Sequence, residues 1–265
     1  EIHERLVGSE MCIRDRPNTF NMYCHREPRF YLTVVWNGQW FKWENRNTNF
    51  LYGGPDGGPT HDAPQNGYLN RSRVSLDYIP RDNNHPYRPA IIFRMAEAYL
   101  SYAEALNECS ERMSYEQEIL NNLNKIRHRA GIAEYGTGTD ENGFTRIKIN
   151  FADQKEVRRL IHKERRVEFV GEGIRYHDLR RWKTAHYGIG NMNEQGENPD
   201  WGVNGPDHGM NYYGTEYTDQ GDNAFFKRTK YMDRVYPRKF YWYPIHQSEI
   251  DKDPTLVQGP FWLGE

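Results

Sequence analysis

Between residues 90 and 185 apolar positions recur every three or four residues, and on either side of that stretch they do not. Ile92, Met95, Ala96, Tyr99, Leu100, Ala103 and Leu106 share one face and predict an amphipathic helix over 90–109. Pro89 suits its first turn, where a missing N–H costs nothing. Ile119, Leu123, Ile126 and Ala130 predict a second helix over 115–130, closed by Gly131 in a left-handed C-cap. Joined by a short turn, the two make a tetratricopeptide-like αα-hairpin, and small residues such as Ala96 and Ala103 allow close approach. No second copy follows at a fixed period. One such unit cannot bury both faces, so poor solubility in isolation is expected.

A third helix starts at Asp153 with a capping box, since Glu156 stands three residues on. It carries Val157, Leu160, Ile161, Val167 and Val170 and stops at Gly171-Glu172-Gly173. A fourth, over 174–185, is anchored by Tyr176, Leu179 and Trp182. Residues 17–88 read as irregular, with β-like runs at 30–36 and 73–79. The glycine-rich stretch 53–59 lacks the Lys and Ser/Thr of a P-loop and reads as a flexible loop. Residues 188–220 form a long loop of Gly, Asn, Asp and aromatics, and 241–245 an extended run before a polar turn. The expected fold is mainly α: a tetratricopeptide-like hairpin plus further helices, with long irregular loops and short β segments.

A net charge of −2 gives no basic field for nucleic acid. Charged residues make up 27% of the chain and aromatics 14%, including seven Trp and nineteen Tyr. That is the composition of a folded chain with a polar, ring-rich surface. Cys12, Cys24 and Cys109 are too few for a disulfide framework. Residues 1–16 resemble read-through of a sequencing adapter and are set aside, Cys12 included, which leaves 17–265 as the region to interpret.

Three segments, in this order, carry a resemblance. The first is Arg94-Met95-Ala96-Glu97-Ala98-Tyr99-Leu100 with Tyr102-Ala103-Glu104-Ala105-Leu106-Asn107-Glu108 and Leu123-Asn124-Lys125-Ile126-Arg127. The second is Lys163-Glu164-Arg165-Arg166-Val167-Glu168-Phe169 with Arg175-Tyr176-His177-Asp178-Leu179-Arg180-Arg181-Trp182. The third is Tyr243-Pro244-Ile245-His246-Gln247-Ser248-Glu249-Ile250. Together they resemble the carboxy-terminal half of the SusD/RagB family. The departures are His246, where a second proline is more usual, and the ending Gly259-Pro260-Phe261-Trp262. The resemblance implies a longer, non-enzymatic lipoprotein, anchored through its start on the outer face of a Bacteroidetes-type outer membrane. It further implies capture of oligosaccharide for a SusC-like TonB-dependent transporter, with no cofactor. Two other readings stay open: a peptide-binding helical-repeat scaffold, and a glycoside hydrolase.

The densest charge cluster allows a catalytic reading, with Glu168 or Asp178 as acid and His177 as base. Helical spacing favours a structural one. Glu164 and Glu168 lie one turn apart, Arg165 stands three residues before Glu168, and Asp178 lies three from both Arg175 and Arg181. These six are assigned to an ion-pair network, with Arg94 and Glu97 as further candidates. No metal site is assigned: the histidines are scattered, and 140–143 lacks the alternation of an EF-hand loop. No GxSxG occurs either. A glycosidase needs two carboxyls about 5–5.5 or about 6.5–9.5 Å apart, and Asp200, Asp207, Glu216 and Asp219 supply acids in the aromatic loop. Sugar binding needs rings for the apolar C–H face and polar groups for the hydroxyls. Trp36, Trp40, Trp43, Asn45 and Tyr52 offer that mixture before the helices, and Trp201, Tyr212 and Tyr213 offer it in the long loop. Strand periodicity would set Trp36 and Trp40 on one face. A core role for both is the competing reading.

Overall fold

The computed structural model describes residues 20–41, 44–72, 74, 82–83, 86–87, 91–188 and 202–262. They fall into two compact units, 1–172 with 209–229 and 173–208 with 230–265, where the sequence reading treats 17–265 as one region.

In the first unit Pro28 opens a short helix, α1 (Pro28–Thr33), from its first position. The run 30–36, read as β, is therefore helical for its first half. Only β1 (Val34–Trp36) is strand. Next along the chain come β2 (Trp40–Phe41), β3 (Arg46–Asn47) and β4 (Tyr68–Asn70). β1 pairs antiparallel with β4, Trp36 facing Tyr68, and β2 with β3, Trp40 facing Asn47.

Helix α2 (Met95–Glu108) packs on α3 (Glu116–Arg129) and on α4 (Gln154–Glu168). Leu100, Ala103 and Leu106 of α2, Ile119, Leu123 and Ile126 of α3, and Val157 and Ile161 of α4 are buried. Each of the larger side chains so buried contributes about 1.5–3 kcal/mol. Residues 91–93, expected in the first helix, are not helical, since Arg94 is extended (φ −142°) and caps the helix. Ile91, Ile92, Phe93, Met95 and Tyr102 are left exposed. Gly131 closes α3 at φ +66°: its N–H donates to the His128 carbonyl, and Ile132 N–H to that of Arg127. This double bond pattern is the Schellman motif, and it requires the left-handed residue.

Asp153 caps α4 by accepting the N–H groups of Lys155 (2.9 Å) and Glu156 (3.2 Å). The other half of the expected box does not form, because Glu156 reaches the Asn150 N–H instead. Asp153→Ala is expected to cost about 1 kcal/mol in urea unfolding, with Asp153→Asn near neutral.

The second unit holds α5 (Ile174–Arg181), a strand pair β5 (Gly205–Gly209) and β6 (Thr229–Arg234), and α6 (Gln247–Lys252). α5 ends four residues before the expected 185, and Lys183 beyond it takes φ +60°. The polar turn expected after 245 is α6, capped by the His246 side chain. Leu179, Ala185, Tyr236 and Tyr241 form this unit's core. Among the described residues no helix is long and apolar enough to cross a membrane.

Candidate functional site

The tryptophans separate first. Asn37 and Gly38 turn the chain between β1 and β2, so Trp36 and Trp40 stand on different strand pairs and do not share a face. Trp36 is 5% exposed, stacked on Phe30 (5.4 Å, 25°) and packed with Tyr23 and Tyr31. A ring so enclosed has no face for a ligand, which corrects its assignment to the binding set. Trp40 is 43% exposed. Asn45 holds the β2–β3 turn at φ +50°, a conformation asparagine tolerates through its short polar side chain. Trp43 and Trp201 lie outside the described residues, as do Asp200 and all of 73–79 except Val74.

Tyr52, Tyr212 and Tyr213, distant in sequence, meet on the first unit. Tyr212 and Tyr213 are edge to face (5.1 Å, 88°), and Tyr52 lies 6.1 Å from the first ring and 5.5 Å from the second. Tyr213 is 70% exposed and the other two are half-buried. Two bonded loops hold the cluster. Tyr52 N–H donates to the Gly214 carbonyl (2.8 Å), and Asn211 bonds the carbonyls of Asp222 and Ala224. The glycine-rich stretch is packed rather than loose. Gly53 N–H donates to the Gly58 carbonyl at 2.7 Å, and a Cβ on Gly58 would sit 2.6 Å from the Tyr212 hydroxyl.

Arg46 fastens this loop to β3 with two bonds to Asp56 (2.6 and 2.7 Å), and Asp56 also accepts the Asn49 N–H. Burial alone would raise the Asp56 carboxyl, but Arg46 and that N–H hold it below its ordinary value. Neither Arg46 nor Asp56 stood out in the sequence. The Asx-type residues around the glycines were the available signal.

The charge cluster works as a clamp inside the first unit. Glu164, 3% exposed, takes Arg29 (2.5 Å) and Arg127 (3.0 Å). Glu168 takes Arg29 (3.1 Å), Arg94 and Arg129, and Arg94 continues to Glu172 (2.7 Å). Arg165, placed beside Glu168 by spacing, reaches across to Ser101 (3.0 Å) and Glu104 (3.8 Å). In the second unit Arg181 bonds Asp178 at 2.9 Å, while the Arg175 guanidinium lies 5.7 Å from the Trp182 ring.

Several other acids are occupied with their own loops. Asp140 accepts N–H groups from Glu134 (3.1 Å) and Phe144 (2.8 Å), one on each carboxylate oxygen. Asp207 pairs with Arg234, Glu216 accepts from Asn223, and Lys227 holds the Asp222 carboxyl below its ordinary value. A general acid needs the opposite shift.

The SusD family model matches residues 12–262, starting inside the stretch set aside as adapter-like. The chain belongs to the SusD family. A SusD-like protein, P25, of Formosa agariphila is 35% identical over 109 residues, which cover 41% of this chain and 18% of that protein. The crystal structure of a SusD-like protein from Bacteroides fragilis matches with a TM-score of 0.63 and 27% identity, over 92% of this chain and 40% of the other. The solved structure BT4246 matches with a TM-score of 0.65 at 24% identity, over 94% and 40%, and shows the fold alone. The chain thus spans well under half the length of these SusD-like relatives.

Proposed function

We propose that this SusD-family chain captures oligosaccharide at the outer face of an outer membrane and delivers it to a SusC-like TonB-dependent transporter. The observation that carries the reading is the cluster of exposed Tyr213 with half-buried Tyr52 and Tyr212 on two bonded loops. Sugar rings offer a flat face of C–H groups, which an aromatic ring covers, while hydroxyls at the edge meet phenolic and amide groups. The cluster is preorganised, so little ordering cost accompanies binding. Trp40 is the next ring in this reading, and Trp43 and Trp201 remain candidates on composition. Family membership supports anchoring at the membrane and the transporter as partner. Capture without cleavage is the expected chemistry: Asp56, beside the rings, serves Arg46 and a backbone N–H, and Asp222 pairs with Lys227.

The test has two arms. Incubating the chain with a bound oligosaccharide should release no reducing ends. The full-length protein, purified from detergent-solubilised outer membranes, should bring down a TonB-dependent barrel. Sugar release would turn the reading to a glycosidase, and loss of the barrel would remove the delivery step.

A further inference from the structure

The second unit contains a cavity of 670 Å³ lined by His186, Asn204, Tyr236, Pro237, Arg238, Lys239, Phe261 and Trp262. That volume lies within the usual range for small-molecule sites, about 300–1,000 Å³. Among the described lining residues three are basic and none is acidic. Neither Arg238 nor Lys239 forms an ion pair among the described residues, although both stand at a surface where most other cations have found a carboxylate.

The floor is built. Asn204 donates to the carbonyls of His186 (2.6 Å) and Tyr236 (3.2 Å) and accepts the Tyr236 N–H, so it ties the two segments together. The Tyr241 hydroxyl accepts the His186 backbone N–H (3.1 Å) and lies 2.8 Å from Nδ1. Tyr241 thus holds His186 through both its backbone and its ring. Burial, and then Arg238, lower the His186 pKa, so the ring is neutral near pH 7.

The wall is aromatic. Trp262 is fixed by its indole N–H on the Trp242 carbonyl (3.1 Å) and by stacking on Phe240 (6.1 Å, 28°). The Lys239 ammonium sits 5.0 Å from the Trp262 ring centre. Phe261, beside it, takes φ +66°. Bulky residues rarely adopt that conformation, which persists only where the surrounding structure holds it.

Rings for an apolar face and two cations without an ion pair among the described residues together define a ligand chemistry. We infer that this cavity binds an anionic saccharide unit, its carboxylate or sulfate ester on Arg238 and Lys239 and its ring against Trp262. The site is independent of the tyrosine cluster and uses none of its residues. Arginine matches the planar geometry of such anions with paired N–H donors.

Calorimetry on the full chain at low salt tests this with three probes: tetragalacturonate, a sulfated carrageenan tetrasaccharide and neutral galactotetraose. At least one anionic probe should bind, and R238A/K239A should weaken it by about tenfold or more. R238K/K239R, which keeps the charge, should retain it. Galactotetraose binding should be unchanged in both variants and should respond only to Y52A/Y213A, which separates failure of this site from failure of the tyrosine reading. Arg238 is exposed and Lys239 half-buried, so a melting curve of each variant checks that it folds. Failure of both anionic probes to bind, or equal binding to R238A/K239A, overturns the proposal. So does inorganic sulfate binding as tightly as either tetrasaccharide without loss in W262A, which would mean an adventitious ion only.

Discussion

Glu164→Ala is expected to lower the stability of the chain by about 3–5 kcal/mol. Glu164 is buried between Arg29 and Arg127, themselves nearly buried, so its removal leaves Arg127 without that carboxylate in a poorly solvated site and Arg29 with Glu27 and Glu168 alone. The loss measures that uncompensated charge rather than the net worth of the pairs. The neighbouring carboxylate adds a pH signature. Burial alone would raise the pKa of Glu168, but bonds from Arg129 and Arg94 hold it below its ordinary value. A carboxyl whose folded pKa is depressed stabilises the fold above its unfolded pKa, about 4.3, and loses that stabilisation as pH falls through the folded value. Urea midpoints should therefore be flat above about pH 5 and fall below about pH 4. Glu168→Gln should show a shallower acid slope on a lower plateau. A Glu164→Ala change within about 0.5 kcal/mol of the parent, the level of an ordinary surface substitution, would show that the clamp contributes little.

The second large effect falls on binding. Y52A/Y213A should weaken oligosaccharide binding by roughly ten- to a hundredfold, from about 0.5–1.5 kcal/mol for each ring contact removed. Stability should change much less, because Tyr213 is exposed and Tyr52 half-buried. Tyr212 is the wrong ring to remove. Its hydroxyl end lies against Gly58, so Tyr212→Ala would disturb the loop along with the platform. Calorimetric titration beside a melting curve separates the two effects.

Helices α2, α3 and α4 were legible because each buries a stripe at three- and four-residue spacing, the strongest signal a sequence carries. Their ends were less so. The first began late because Arg94 is extended and its guanidinium runs to Glu168 and Glu172, tertiary partners that periodicity does not report. α1 was taken for strand on the β-branched and aromatic run that ends at Trp36, and Pro28 at its first position was the overlooked sign. α6 is six residues long, too short for a period to show.

The site divides along the same line. Spacing identifies charged residues that share a helix face, but one partner of Glu164 proved to be Arg29, more than a hundred positions away in a stretch read as irregular. Composition marks rings without telling platform from core. Trp36 packs under Asn37, whose side chain accepts the Phe50 N–H, and only that turn separates it from the exposed Trp40. The meeting of Tyr52 with Tyr212 and Tyr213 depends on long-range contacts, such as the Tyr52 bond to Gly214 and the packing of Tyr212 on Gly58, that no local pattern encodes.

The most direct measurement is native electrophoresis through gels cast with a panel of polysaccharides, the wild-type chain beside Y52A/Y213A. Retardation of the wild type by at least one polysaccharide, lost in the variant, is the predicted result. Equal retardation of the two proteins, or none with any polysaccharide, would contradict glycan capture by the tyrosine cluster.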